Sequence, residues 1–471
     1  MLLVGNCYYK RFWYQRIEIE SDYVMNFYDI SFIVFIIPIM IFLSLHSDRI
    51  KLISLIFISI IFYLLNAPEY ILLLFLSIFI NYVIGLFIYQ NKLILAFSII
   101  LNVTILIYYK YIIFLLNIFG IEIQNIQSTY LPLGISFFTF QQINYLIDRY
   151  NNTVKEKSIS KYSLFIIFFP QLIAGPILRY NNFYQNIKSE KYKRINIFLI
   201  ILSIALFKKI FLANNLAPIS DSAFNSINDL SQIDSWLAAI AYHFEIYFDF
   251  SAYCDFAIAA GYLMGYKIPI NFNSPYKKLN IISFWRSWNI TVSNFFRHNI
   301  YNFLGYDSGN KSIFRYLAII FTMLVSGLWH GASYNFILWG GVHGIAIVIN
   351  HIYNRFKFNF INKISAFLIM QIFLIFSWVI FKTNSISETL NFWKKMTSFE
   401  VTSFNLVNIT SAVLIFASIL IIYITPNSYI IFRKFRLTKT INIKYLLLSS
   451  LIIFFTFLNT ANIKQFIYFD F

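Results

Sequence analysis

The 471-residue sequence predicts an all-α polytopic membrane protein. Hydrophobic residues make up 59% of the chain and charged residues only 12%, and long apolar runs recur from end to end. A helix of ~20 apolar residues crosses the ~30 Å hydrocarbon layer of a bilayer. We therefore expect about 11–13 transmembrane or re-entrant helices. The runs of sufficient length begin near Ile30, Lys51, Tyr70, Lys92, Leu131, Ile197, Trp236, Ser312, Phe336, Ile364, Leu406 and Tyr445.

One apolar run, at 163–178, is too short and too irregular to be an ordinary span. Pro170, Gly175 and Pro176 interrupt it, and each interruption frees backbone groups that lipid cannot bind. Such a segment has to be buried in protein or line an aqueous cavity. We interpret it as a re-entrant hairpin.

The distribution of Lys and Arg predicts the orientation, because short basic loops stay on the cytoplasmic side. The basic loops are 46–51, 149–161, 179–194, 354–363 and 432–444. The loops without Lys or Arg are 66–70, 121–130 and 217–234. With a hairpin at 163–178 the two kinds alternate and place both termini outside, in a multi-pass protein of the inner (cytoplasmic) membrane. The loop at 382–400 is mixed in charge.

The net charge of +17 is explained by these loops, which lie near an anionic leaflet. A nucleic-acid partner is therefore not expected. Cys7 and Cys254 make no ligand-spaced cluster, and we predict no metal site and no bound cofactor. The simplest division is an N-terminal extension at 1–28 followed by one membrane domain at 29–471.

The segment at 283–301, "SFWRSWNITVSNFFRHNIY", is unusually polar for this chain. We predict that it forms a short helix on the cytoplasmic side that lines a reaction chamber. On one helix Arg286, Asn289 and Ser293 share a face at i, i+3 and i+7, and Trp288 provides apolar cover or a substrate contact. Arg286 could attract a donor phosphate or anchor in lipid headgroups.

His330 is the candidate base. It ends an apolar run, and Gly331 has no side chain to block its approach. An imidazole titrates near neutral pH and can take a proton from an attacking hydroxyl. Ionisable groups at membrane depth are costly and suggest function.

Seven segments in register resemble the membrane-bound O-acyltransferase family, over about 29–471. They are "YLPLGISFFTFQQINYLIDRY", "LIAGPILRY", "IYFDFSAYCDFAIAAGYLMG", "NFNSPY", "FWRSWN", "LWHGASYNFILWG" and "FIYFDF". The closest branch by motif is the bacterial one that contains the alginate O-acetylation membrane protein and the teichoic-acid D-alanyl transferase.

The resemblance implies helices around a central tunnel, with His330 as the catalytic histidine and His343 and Trp329 beside it. It also implies a departure, because Asn289 stands where bacterial members usually have a second His. An amide can donate to an oxyanion and accept from a hydroxyl but cannot take a proton. His330 then carries the proton transfer alone.

By this resemblance we expect an O-acyltransferase that moves acetyl from a cytoplasmic thioester donor, acetyl-CoA or a carrier-bound acyl group, to a hydroxyl outside. The acceptor is a cell-surface polysaccharide or a secreted partner protein. Transfer of D-alanine to teichoic acid is the first alternative. A polysaccharide or lipid transporter is an alternative from another class, and a degenerate member that only recruits a partner is a third.

Overall fold

The computed structural model describes residues 27–29, 31–121, 131–185, 187, 189–304, 313–356, 361–398, 409–438, 440–459 and 464–467. Nearly all of the predicted N-terminal extension lies outside these ranges, and the division at 28 stays a prediction.

Helices account for the regular structure of the described residues. The first half of the chain contains α1 (Phe32–Ser44), α2 (Asp48–Asn66), α3 (Pro68–Phe87), α4 (Lys92–Ile118), α5 (Ile135–Tyr150), α6 (Ile159–Ile167), α7 (Lys191–Asn225) and α8 (Gln232–Met264). The second half contains α9 (Ile281–Trp285), α10 (Ile290–Phe296), α11 (Ile313–His330), α12 (Tyr334–Arg355), α13 (Lys363–Lys382), α14 (Ile386–Thr397), α15 (Ile409–Ile424), α16 (Ser428–Leu437) and α17 (Ile443–Leu458). Shorter helical segments are Phe169–Leu172, Tyr180–Phe183, Ile227–Asp229, Pro275–Lys277 and Arg297–Tyr301.

Six of the described helices are long and apolar enough to cross a membrane, namely α3, α4, α7, α11, α12 and α13. The pair α15 and α16, bent by 46°, makes a seventh if it is one span. The other predicted runs also form helices, but these are shorter, like the 16-residue α5, or more polar, like α8. The protein is an all-α polytopic membrane protein, as predicted.

Helix α8 is the central element, and nearly all of its 33 residues are buried. It begins where the Ser231 hydroxyl caps the Asp234 amide and ends at Gly265, which has φ +89°. Two of its buried carboxylates are paired with cations of α7, Asp249 with Lys209 and Asp255 with Lys208, both at 2.7 Å. These pairs fix α7 against α8, which supports a structural role for all four side chains.

The irregular run at 163–178 is buried in protein, as its prolines and glycine required. Every residue from Leu164 to Leu178 is buried. The run packs closely on the start of α5, where a Cβ added at Gly134 would lie 2.5 Å from the Leu172 carbonyl oxygen. This segment therefore forms part of the wall around the protein centre.

Basic loops meet at one end of the molecule. From the loop before α7, Lys191 donates to the Leu45 carbonyl at 2.7 Å. Lys193 in the same segment donates to the Thr438 carbonyl beyond α16. Because these basic loops contact one another at one end of the molecule, they can lie on the same side of the membrane, as we predict.

The opposite end joins the predicted loop at 217–234, which forms the last turns of α7 and the turn after it, to the end of α13 and to α14. Lys382 pairs with Asp221 at 2.6 Å, and Lys395 donates to the Asn228 carbonyl at 2.6 Å. The mixed loop at 382–400 therefore belongs with the loop that we predict to be outside.

Candidate active site

Helices α11 and α12 form a tight hairpin that positions His330. A Cβ at Gly327 would overlap the Phe336 carbonyl, and a Cβ at Gly340 would overlap the Met323 carbonyl. Glycine at both positions lets the two backbones approach closely. The hairpin carries His330, the last residue of α11, into the protein interior.

Aromatic rings surround the His330 imidazole. Its centroid lies 4.7 Å from that of Trp329 and 5.1 Å from those of both Trp339 and Phe381. The expectation that Gly331 leaves an open approach is wrong, because a Cβ at Gly331 would overlap the Phe336 ring. Glycine here makes room for that ring.

Two side chains of α4 hold the end of α11, which sequence reasoning missed. The Lys110 ammonium donates to the Trp329 carbonyl at 2.6 Å, and the Tyr111 hydroxyl donates to the Leu328 carbonyl at 3.0 Å. The last carbonyls of a helix have no partner within it and attract cations. Lys110, a lysine inside an apolar run, is the signal in the sequence that could have indicated this position.

Asn289 does not share a continuous helix with Arg286 and Ser293, so that prediction is wrong. Helix α9 ends at Trp285, and Asn289 has the left-handed backbone φ +41°, ψ +53° immediately before α10. Asparagine adopts this region more readily than most residues. The break buries Asn289 while Arg286 stays exposed.

A chain crossing imposes this break. The Ile290 amide donates to the Asn271 carbonyl at 3.0 Å, and the Thr291 hydroxyl donates to Asn271 Oδ1 at 2.6 Å. Thr291 in turn accepts from the Ile177 amide at 2.8 Å, so the buried irregular run is tied to α10. Asn289 Oδ1 is buried here and accepts no hydrogen bond from any residue that the structure describes.

A cluster of tryptophans connects Asn289 with His330. Trp288, next to Asn289, lies 5.0 Å from Trp378 between ring centroids. Trp378 lies 6.0 Å from Trp339, which contacts His330. The structure thus brings the two predicted catalytic residues to one aromatic core.

His343 lies on the other side of this core, one helix away from His330. The Trp285 indole donates to His343 Nδ1 at 3.3 Å, and the imidazole lies 4.6 Å from the Trp339 ring. His343 is fully buried. It orients Trp285, which forms part of a cavity wall.

A cavity of about 490 Å³ leads toward His330 along α11. On α11 it runs from Arg315 to Ser326, four residues before His330. At 1.5 Å per residue this is about 16 Å of helix. The complete lining is Ile282, Trp285, Arg286, Ile290, Ser293, Asn294, Phe296, Arg297, Tyr301, Arg315, Ile319, Thr322, Met323, Ser326, Ile347 and His351.

The cavity is positively charged. Arg286, Arg297 and Arg315 line it, and its described lining contains no carboxylate. The pKa of the neighbouring His298 is lowered from its usual value by burial and then by Arg297 and Arg179. Arg286 and Ser293 thus lie at an anion-attracting cavity, whereas Asn289 and His330 lie deeper.

The family model for membrane-bound O-acyltransferases matches residues 84–387, which include every site residue described above. The chain belongs to the membrane-bound O-acyltransferase family. It is an O-acyltransferase.

Relatives within the membrane-bound O-acyltransferase family fall into three kinds. A peptidoglycan O-acetyltransferase of Helicobacter pylori is 39% identical over 382 residues, 72% of each chain. A probable alginate O-acetylase of Azotobacter vinelandii is 32% identical over 71% of this chain and 69% of its own length. A teichoic acid D-alanyltransferase of Streptococcus thermophilus is 30% identical over 50% of this chain and 60% of its own.

Metal-ligating side chains do not cluster in the described part of the chain, where no group of three or more His, Cys, Asp or Glu could hold an ion. Imidazole, amide and indole groups supply a base, hydrogen-bond acceptors and hydrogen-bond donors.

Proposed function

We propose that this chain transfers an acetyl group from a cytoplasmic thioester donor to a hydroxyl of a cell-surface polysaccharide outside the cytoplasmic membrane. The observation that carries the proposal is the arginine-lined cavity that ends one helical turn from His330. This cavity gives an anionic donor a route toward the proposed reaction centre at His330.

The acceptor that we favour is a peptidoglycan-like glycan. The peptidoglycan O-acetyltransferase is 39% identical to this chain, compared with 32% for an alginate O-acetylase and 30% for a teichoic acid D-alanyltransferase. The first of these matches also covers a larger share of the chain than the third. A glycan hydroxyl is the acceptor group common to the first two kinds of relative.

The donor is a thioester with phosphate groups, either coenzyme A or a carrier-bound phosphopantetheine. Arg286 and Arg297 are exposed at the cavity, and guanidinium groups bind phosphate oxygens bidentately. His351, near the basic loop at 354–363, lines the same cavity. The cavity mouth therefore lies toward the end of the molecule that we predict to be cytoplasmic.

The acceptor approaches from the other end. Phe381, which contacts His330 at 5.1 Å, directly precedes Lys382, the partner of Asp221 in the predicted outer loop. Helix α11 runs about 22 Å from Arg315 to His330 at 1.5 Å per residue. Donor and acceptor can thus meet at His330 without either crossing the membrane.

In the proposed reaction His330 takes the proton of the acceptor hydroxyl as its oxygen bonds to the thioester carbonyl carbon. The tetrahedral intermediate then breaks its carbon–sulfur bond. The departing thiolate receives the proton held by His330, which returns the imidazole to its starting state. The products are an oxygen ester and a free thiol, so no further reactant is needed.

Asn289 binds the acceptor hydroxyl in this scheme. Its buried Oδ1 has an unused lone pair, and a carbonyl oxygen accepts but does not take a proton. The amide therefore orients the hydroxyl while His330 removes the proton.

The test is the ester content of the cell-surface polymers after deletion of the gene. We expect alkali-released acetate to fall on deletion, to return with the wild-type chain and to stay absent with His330→Ala. His46→Ala is the matched control, because this half-buried histidine bonds the Phe42 carbonyl at 2.9 Å and packs on the Phe42 ring, far along the chain from His330. Restoration of acetate by His330→Ala would contradict the proposal.

The same extracts show which acyl group the protein transfers. Alkali-released D-alanine in place of acetate would show that the chain acts like its teichoic acid relative. Loss of neither product on deletion would favour the non-catalytic alternatives.

A further inference from the structure

Several buried polar atoms near His330 have no hydrogen-bond partner among the residues that the structure describes. Among the described residues they include the indole nitrogens of Trp329, Trp339 and Trp378, and Nε2 of His343. Buried polar atoms in proteins are almost always hydrogen-bonded, and each exception needs an explanation. A buried indole usually finds an acceptor for its N–H group.

Tryptophans elsewhere in the chain follow that rule. The Trp236 indole donates to the Met396 carbonyl at 2.9 Å, and the Trp393 indole donates to the Phe376 carbonyl at 3.3 Å. Among the tryptophans that the structure describes, the buried indoles that lack an acceptor therefore lie in the aromatic core near His330. Packing alone would not require tryptophan there, because phenylalanine fills a core without carrying a donor.

We propose that the indole N–H groups of Trp339 and Trp378 donate hydrogen bonds to the carbonyl oxygen of the transferred acyl group. Both side chains are fully buried, at 0% exposure. The Trp339 ring lies between the His330 imidazole at 5.1 Å and the Trp378 ring at 6.0 Å. The inference rests on the proposed function, since it assigns residues to the same reaction centre.

The position of Trp339 relative to the cavity supports the assignment. Trp285 lines the cavity and contacts the Trp339 ring at 5.6 Å. An acyl group that passes Trp285 therefore reaches Trp339 next. The Trp329 ring, which also contacts His330, packs against Phe137 of α5 and Phe296 of α10 at 5.7 and 6.1 Å.

The chemical role is stabilisation of negative charge. When the hydroxyl oxygen bonds to the carbonyl carbon, the carbonyl π electrons move to its oxygen, and the two N–H groups strengthen their hydrogen bonds to it. When the carbon–sulfur bond breaks, these electrons reform the carbonyl and the bonding pair leaves with sulfur. The work is thereby divided, with indoles on the acyl oxygen, Asn289 on the hydroxyl and His330 on the proton.

The test replaces each tryptophan by 3-benzothienylalanine, in which sulfur takes the place of N–H in a ring of nearly the same shape. Cells expressing each variant are pulsed with labelled acetate, and ester label in the surface polymer is measured per amount of membrane protein. We expect at least a tenfold loss of incorporation rate at Trp339 and at Trp378, because one such donor is typically worth about 10²–10³ in rate. Trp393→3-benzothienylalanine is the control and should incorporate label at the wild-type rate.

Wild-type incorporation by both the Trp339 and Trp378 variants would overturn the inference. If His330→Ala abolishes incorporation in that same experiment, the proposed function survives and only the donor assignment fails. If His330→Ala also incorporates label normally, the proposed function itself fails.

Discussion

The roles of some residues at the proposed reaction centre can be recognised from the sequence, and the roles of others only from the fold. His330 is recognisable because an ionisable group at the end of an apolar run is costly. Trp339 and Trp378 look like ordinary core residues in the sequence, since nothing local shows that their N–H groups lack acceptors. The left-handed conformation of Asn289 was also hidden, because Asn271, far from it in the chain, holds the next amide.

The role of Asn289 is testable with a backbone-matched pair. Asn289→Gly removes the amide and tolerates φ +41°, whereas Asn289→Ala adds backbone strain. We expect both to lower acetate esterification by about 10², the lower end of what one well-placed hydrogen-bonding group contributes. Asn289→His should retain part of the activity, because an imidazole nitrogen can accept from the hydroxyl. Wild-type acetate in Asn289→Gly would remove the residue from the mechanism.

Arg286 and Arg297 are predicted to bind the donor rather than to perform chemistry. With purified protein and acetyl-CoA, Arg286→Gln and Arg297→Gln should each raise KM about 10-fold or more and leave kcat nearly unchanged, since hydrogen bonds between charged groups are worth about 1.5–3 kcal/mol. Arg433→Gln changes an exposed arginine outside the cavity lining and should leave KM as it is. An unchanged KM in both cavity variants would argue against donor phosphates in this cavity.

Helical elements follow largely from the apolar runs, and the break between α9 and α10 does not. Hydrophobic spacing predicted one helix through 283–301, but the chain crossing at Asn271 divides it. The hydrogen bond from Lys110 of α4 to the Trp329 carbonyl of α11 could not be predicted from neighbouring residues either, because the two residues are separated by 219 positions. Elements that depend on such contacts can be located only from the folded chain.

The α11–α12 hairpin makes a stability prediction with a neighbouring control. Gly340→Ala would overlap the Met323 carbonyl, whereas a Cβ at Gly341 meets only Leu324 Cδ2 at 3.4 Å. Overpacking costs about 1–3 kcal/mol, so Gly340→Ala should lower the melting temperature in detergent and reduce acetate transfer. Gly341→Ala should behave like wild type. Equal melting temperatures for the two variants would contradict this packing of the hairpin.

At the scale of the whole molecule, the Lys and Arg content of the loops predicted which loops lie on the same side of the membrane. Contacts in the structure group the loops in the same way. Basic segments touch one another at one end through Lys191 and Lys193. The loop without Lys and Arg touches the segment after α13 at the other end through Asp221 and Lys382. The sequence left this last segment undecided because its own charge is mixed, and the ion pair assigns it to an end.

Sidedness can be measured with introduced cysteines on a Cys7→Ser background, since Cys254 is buried. Ser222 and Lys155 are both exposed and lie in loops predicted on opposite sides. An impermeant thiol reagent should label Ser222→Cys in intact cells and Lys155→Cys only after permeabilisation. The reverse pattern would invert the orientation and, with it, the side from which the donor enters.

The role of His330 in acetyl transfer can be measured with the purified protein in lipid nanodiscs, with labelled acetyl-CoA as donor and soluble peptidoglycan fragments as acceptor. We predict alkali-labile label on the glycan with one free thiol released per ester formed. In His330→Ala we predict a loss of about 10²–10⁴ in rate, the usual contribution of a general base, with the protein still folded. Transfer by His330→Ala at half the wild-type rate or more would contradict the proposed function.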